Sequence, residues 1–209
     1  MEVKDRILHK ANDLFMRYGI RSITMDEIAA QLGISKKTIY QFFTDKDEMV
    51  EAVVDKHIQE NENKCGRFQD VSENAIHEIF VAVDEMEEML KAMNPLIMYD
   101  LEKHHPKSHR KFRDHIYRFM YQVVRENLDR GISEDLYRTD LNLDIVAKHR
   151  LESAFLGFNQ DVFPHNRYQI SEVCRELALL FLHSVASAKG KKLIEKYLGE
   201  RIKQLSHEK

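Results

Sequence analysis

GIRSITMDEIAAQLGISKKTIYQFFTDK, from Gly19 to Lys46, reads as two short helices joined by a tight turn. Thr24 precedes Met25-Asp26-Glu27, so Thr24 at the N-cap and Glu27 three residues on are set for a capping box. Ile28, Ala29 and Leu32 supply a short apolar face. Gly33 follows where a helix end favours positive φ. Ser35 is a second N-cap and opens a helix over Lys36–Phe43. Ile34, Ile39 and one of Phe42 and Phe43 face inward. Ser35, Lys36, Lys37, Thr38, Tyr40 and Gln41 are left facing outward. Thr44 is expected to cap the next helix, which Asp45-Lys46-Asp47 opens. A lysine is disfavoured at the positive end of a helix dipole. Lys46 therefore reads either as a phosphate contact or as a solvated lysine offset by Asp45 and Asp47. The layout is a helix-turn-helix, whose second helix enters the DNA major groove.

Gly19, Thr24, Ile28-Ala29, Gly33, Ser35, Ile39-Tyr40, Phe43 and Lys46 fall as in the N-terminal signature of the TetR family of bacterial transcription regulators, which the chain resembles over about residues 3 to 55. The resemblance implies a homodimer on a near-palindromic double-stranded DNA operator, and a C-terminal domain that receives a small-molecule effector. It implies that Thr24, Tyr40 and Lys46 position the phosphate backbone. Ser35, Lys36, Lys37, Thr38 and Gln41 complete the DNA-binding set, with Lys36, Lys37, Thr38 and Gln41 nearest the base edges. Phe42 departs from the pattern: the family often has His or Tyr there, which bonds a phosphate as Phe does not.

The 209 residues are ample for one large or two small cored domains. Cys65 and Cys174 lie far apart and suggest neither a disulfide framework nor a zinc site. With no signal peptide and no apolar run of membrane-spanning length, the reading is a cytoplasmic protein without a membrane partner. Charge discriminates less. The whole chain carries −3, and residues 1–50 hold equal numbers of basic and acidic side chains. A DNA-facing patch must come from the placement of Arg21, Lys36, Lys37 and Lys46.

The rest of the chain is read as helical. A first helix is expected over Val3–Tyr18, stopped by Gly19. A fourth starts near Asp45 and breaks between Gly66 and Ser72. Ile79, Val83, Met86, Leu90 and Met93 form an apolar stripe over Val71–Ala92. The three prolines, Pro95, Pro106 and Pro164, are expected near helix starts. After Pro106 the stripes Phe112, Ile116, Phe119, Val123 and Tyr117, Tyr121, Val124, Leu128 predict a central helix ending at Gly131. Ile132–Asn142 reads as a polar connection. Two helices are expected over Leu143–Phe163 and Arg167–Ala188. Their paired apolar faces suit a subunit interface within residues 143–188, with the small Gly157 and Ala178 as candidates for its seam. Leu193, Ile194, Tyr197, Leu198, Ile202 and Leu205 predict a last amphipathic helix.

Met86, Leu90, Met93, Phe112, His115, Ile116, Phe119 and Asn159 are the candidate ligand-binding residues. Methionine at helical spacing is as readily core as adaptable binding surface. His104, His105 and His109 resemble a metal cluster, but Pro106 interrupts their spacing and a solvated turn is the preferred reading. No cofactor motif, nucleophile elbow or phosphate loop occurs, so no enzyme is expected. The expectation is an all-α protein: a three-helix DNA-binding domain at 1–50 and a larger helical effector-binding and dimerisation domain at 51–209. Its function is transcriptional regulation, with repression relieved by a small apolar or amphipathic molecule. The alternatives are an activator, a non-transcriptional DNA-binding protein, or a helical ligand-binding or scaffold protein without DNA binding.

Overall fold

The computed structural model describes residues 2–91 and 93–207, with side chains as far as Arg201. Ala92 and the side chains of Ile202 and Leu205 lie outside the described residues. The helices are α1 (Val3–Tyr18), α2 (Met25–Leu32), α3 (Lys36–Tyr40), α4 (Lys46–Val71), α5 (Ala75–Lys91), α6 (Ile97–His104), α7 (Pro106–His115), a π-helical segment (Ile116–Met120), α8 (Tyr121–Ser133), α9 (Leu143–Leu156), α10 (Ile170–Val185) and α11 (Ala188–His207). Extended pairing among the described residues is confined to the isolated bridge Tyr137–Ala186. The all-α expectation holds.

The chain divides into two compact units, residues 1–63 with 89–116 and residues 64–88 with 117–209. In the first, Ile7, Ala11, Phe15, Ile28, Ile39, Phe43 and Met49 form a continuous core that includes Leu101 of α6. In the second, Ile76, Phe80, Leu128, Tyr137, Ala147, Phe181, Leu182 and Ile194 form another. Each core follows the amphipathic spacing of its helices, with the i, i+4 and i+7 positions turned inward.

Several boundaries differ from expectation. The helix predicted to Phe43 ends at Tyr40. The Phe42 N–H bonds the Ile39 carbonyl at 2.9 Å, a tighter turn that lets Phe43 into the core. Thr44 is not the cap of α4. Asp45 is, its Oδ1 accepting from the Glu48 N–H at 2.8 Å, while the Thr44 N–H and hydroxyl donate to Glu48 Oε2. The break expected between Gly66 and Ser72 falls at the far end of that range, and α4 runs through Gly66 to Val71. An interior glycine costs about 1 kcal/mol relative to alanine, and the 26-residue α4 absorbs it. The chain turns at Ser72–Asn74, where Asn74 Oδ1 accepts the His77 N–H at 3.0 Å.

Gly131 is not a helix stop. It lies inside α8, where a Cβ would fall 2.0 Å from the Tyr137 ring, so glycine is required by close approach. The chain reverses at Asp135, with φ 59°. The predicted polar connection 132–142 is partly core: Leu136 and Tyr137 are buried. The Tyr137 hydroxyl donates to Asn127 Oδ1 at 3.1 Å and to the Ala75 carbonyl at 3.3 Å. Tyr117, expected on an inner stripe, is 41% exposed.

Both long C-terminal helices are shorter than predicted. α9 gives way at Leu156 to a turn closed by Phe158 N–H to Phe155 O and Asn159 N–H to Leu156 O, both 3.0 Å. Pro164 opens a turn and not a helix, its carbonyl accepting from the Arg167 N–H at 2.9 Å. Gly157 and Ala178 are not on an outer seam. Ala178 is fully buried, and a Cβ on Gly157 would fall 2.8 Å from Cys174 Sγ.

Candidate nucleic-acid interface

The turn after α1 is built by Gly19, at φ 84°, whose N–H bonds the Phe15 carbonyl at 2.9 Å. The Arg21 N–H donates to Asp100 Oδ2 at 2.9 Å, so the buried carboxylate of α6 fixes the entry to α2. Thr24 and Glu27 form the complete capping box. The Glu27 N–H donates to Thr24 Oγ1 at 3.2 Å and the Thr24 N–H to Glu27 Oε2 at 2.6 Å. Gly33 then turns left-handed at φ 65°, and the Ile34 N–H returns to the Ala29 carbonyl at 3.1 Å. These three devices fix the angle at which α3 leaves α2.

Ser35 caps α3, its Oγ accepting the Thr38 N–H at 3.1 Å and meeting Thr38 Oγ1 at 2.8 Å. Ile39 is fully buried and anchors the helix, leaving Lys36, Lys37, Tyr40 and Gln41 on the outside. Lys36 and Lys37 differ. Lys36 Nζ bonds Asp26 Oδ2 at 2.7 Å and lies 5.9 Å from the Tyr40 ring centre. That carboxylate holds the lysine above its ordinary pKa. Among the described residues, the Lys37 and Gln41 side chains form no hydrogen bond or ion pair, so both are open to a ligand.

Lys46 opens α4 but folds back. Its ammonium lies 5.9 Å from the Phe15 ring centre and donates to the Arg21 carbonyl at 3.4 Å. Burial pulls its pKa below the ordinary lysine value, against the opposing pull of Asp100. Asp100 and Asp26 are the two groups here with no local sequence signal. Each acts on a residue distant in the chain, Asp100 on Arg21 and Asp26 on Lys36.

The candidate ligand residues fall in both units. Leu90, Met93, Phe112, His115 and Ile116 belong to the first, and Met86, Phe119 and Asn159 to the second. A pocket of about 150 Å³ in the second unit is lined by Phe119 and Val123 together with Cys65, Glu78, Gln122 and Asn127. Burial pushes the Glu78 carboxyl above its ordinary pKa, while Arg130 Nη1 bonds it at 3.0 Å. Asn159 is on the surface, its Oδ1 accepting from the Asp161 N–H at 2.9 Å. His105 bonds Asp47 at 2.6 Å and Pro106 opens α7. Among the described residues no three His, Cys, Asp or Glu side chains are arranged to hold a metal ion. Among them, too, no helix is long and apolar enough to cross a membrane.

Comparison with known proteins agrees with this geometry. Residues 7–53 match the pattern described as bacterial regulatory proteins, tetR family. An uncharacterized HTH-type transcriptional regulator of Bacillus subtilis, YvaF, is 31% identical over 101 residues, 48% of this chain and 53% of that protein. The chain thus spans about half the length of that curated relative. A TetR-family regulator of Agrobacterium tumefaciens superposes with a TM-score of 0.72 at 17% identity, over 88% of this chain and 97% of the other. The regulator FadR of Bacillus subtilis, solved with stearoyl-CoA, superposes with a TM-score of 0.66 at 13% identity, over 85% and 97%.

Proposed function

We propose that this chain is a regulator of the TetR family, a sequence-specific transcriptional repressor released from its operator by a small molecule; the match of residues 7–53 to that family supports the reading. The observation that carries this reading is α3 itself: a capped helix anchored by Ile39, presenting unpartnered Lys37 and Gln41 to solvent. Lysine pairs with guanine O6 and N7, and glutamine with adenine N6 and N7. Thr38, Lys36 and Tyr40 flank them. Thr24, Ser35 and Lys46 hold the two helices in register, and Lys46 and Tyr40 also approach the phosphates.

The functional form is a cytoplasmic homodimer built through residues 143–188. Two copies of α3 then lie about one helical turn apart, roughly 34–36 Å. The effector enters the second unit at the pocket beside Phe119. FadR, a protein of the same fold bound to stearoyl-CoA, supports an apolar or amphipathic effector. Its binding shifts the population away from DNA by no more than its differential affinity for the two states. The test is retention of DNA from the gene's own upstream region against a scrambled duplex, with and without candidate effectors. Equal retention of both duplexes would favour a helical ligand-binding protein. Selective retention with effector-enhanced transcription would favour an activator.

A further inference from the structure

The second unit contains a cation without a counter-ion. Arg150 lies in α9 between the buried Ala147 and Leu151, with its guanidinium carbon 5.3 Å from the Phe181 ring centre. Its Nη1 is buried and has no hydrogen-bond partner. Among the described residues its side chain forms no ion pair. Other arginines of the unit are paired: Arg130 with Glu78 and Glu134, Arg175 with Glu87, and Arg201 with Asp84. The groups acting on Arg150 electrostatically are Cys174 and Tyr137. Neither is an anion at neutral pH. Burial pushes the Cys174 thiol up to about 11 and the Tyr137 phenol well above its ordinary value.

Arg150 is part-exposed as a whole, but its Nη1 is shut off from water, and a buried donor left unpaired is unfavourable and calls for a partner. The direction of Arg150 narrows what that partner is. The outer side of α9 carries Ile145, Lys148, His149 and Glu152, all exposed. Arg150 shares the inner side with Ala147 and Leu151 and meets Phe181 of α10. A simple hydrated anion has little to gain among these apolar groups, whereas an anion carrying an apolar body does. A polar route also exists. Tyr137, a neighbour of Arg150, donates to Asn127, and Asn127 lines the pocket.

We propose that Arg150 is the counter-charge for an amphipathic oxyanion, a carboxylate or phosphate on an apolar body. The proposal rests on the reading of the second unit as effector-binding and adds the head-group chemistry. Both head groups present paired oxygens that match the guanidinium fork.

The test is thermal melting of the full chain with decanoate, decyl phosphate or decanol, each below its micellar concentration. Either anion is expected to raise the wild-type Tm by about 4 °C or more near saturation, and decanol by less than half as much. The stronger anion identifies the head group. Arg150→Met is expected to melt above the wild type without ligand, because it removes the unpaired charge. It should also lose the anion-specific part of the shift. The proposal is overturned if decanol stabilises the wild type as well as the anions do, which is the result if an ordered water alone satisfies Nη1. It is overturned equally if Arg150→Met keeps the anion shift. The wild-type comparison stands even if the variant misfolds. Operator retention on parallel samples separates the two readings. An anion shift without DNA retention removes the regulator and keeps the site, and DNA retention without an anion shift does the reverse.

Discussion

Asp26 sits on the expected DNA face, where a carboxylate would repel phosphates, and Lys36 neutralises it at 2.7 Å. Lys36 and Lys37 should therefore respond differently to truncation. Lys37→Ala is expected to lose about 1–3 kcal/mol of operator affinity and relax sequence preference. Lys36→Ala should also weaken binding, but adding Asp26→Asn should restore most of it, while Lys37→Ala gains little from the same second change. Quantitative gel shifts on the four proteins decide this; a Lys37→Ala loss rescued equally by Asp26→Asn contradicts the assignment. Lys46 has two jobs. Lys46→Ala should weaken binding to all sequences alike and flatten the salt slope by about one unit. It should also lower the melting temperature, because the bond to the Arg21 carbonyl is lost. Unchanged affinity at every salt concentration would rule out the phosphate contact. The caps at Thr24 and Ser35 and the turn at Gly33 were legible because their signals lie within a few residues. Asp100 and Asp26 were not, since their partners lie 79 and 10 residues away.

At the scale of elements, α4 and α7 meet within the first unit through a row of polar pairs. His105 meets Asp47, Lys107 meets Glu51, and Lys111 meets Glu51 and Asp55. His115, at the end of α7, is buried, with Asn61 at 3.2 Å from Nε2 and Glu62 at 3.4 Å from Nδ1. Burial pulls its pKa below the ordinary histidine value, against the opposing pull of Glu62. The folded state thus holds fewer protons than the unfolded chain just below the ordinary pKa. The stability contributed is complete above about pH 6.5 and is lost as pH falls through the depressed folded value. His115→Gln should make the melting temperature less sensitive to pH between about 7 and 5. A steeper dependence in the variant would contradict this sign. Helical periodicity revealed α1, α5 and α11 because each has one apolar face. It failed at 132–142, where Leu136 and Tyr137 are core residues inside a polar run. The break read between Gly66 and Ser72 came at Val71, because a glycine inside a long helix is only a small penalty.

For the whole molecule, the exposed apolar side chains of residues 143–185 identify the surface proposed for the second subunit. Leu180 is 65% exposed and Ile145 62% exposed, while Gly157 and Ala178 serve the single-chain core. Sedimentation should find a dimer at micromolar concentration, and Leu180→Glu should shift it to monomer without lowering helix content. A wild-type monomer would contradict the proposed interface. The all-α class and the helix-turn-helix were legible from sequence because both rest on local patterns. That residues 89–116 pack with the N-terminal residues was not, because they do so through distant contacts such as Asp100 with Arg21. The central claim is that α3 reads DNA. Filter retention of the gene's own upstream duplex, titrated against a scrambled duplex of equal length and salt, tests it most directly. Preference for the native duplex by about 10³-fold or more, lost in Lys37→Ala, is the predicted result; equal affinity for both duplexes would contradict it.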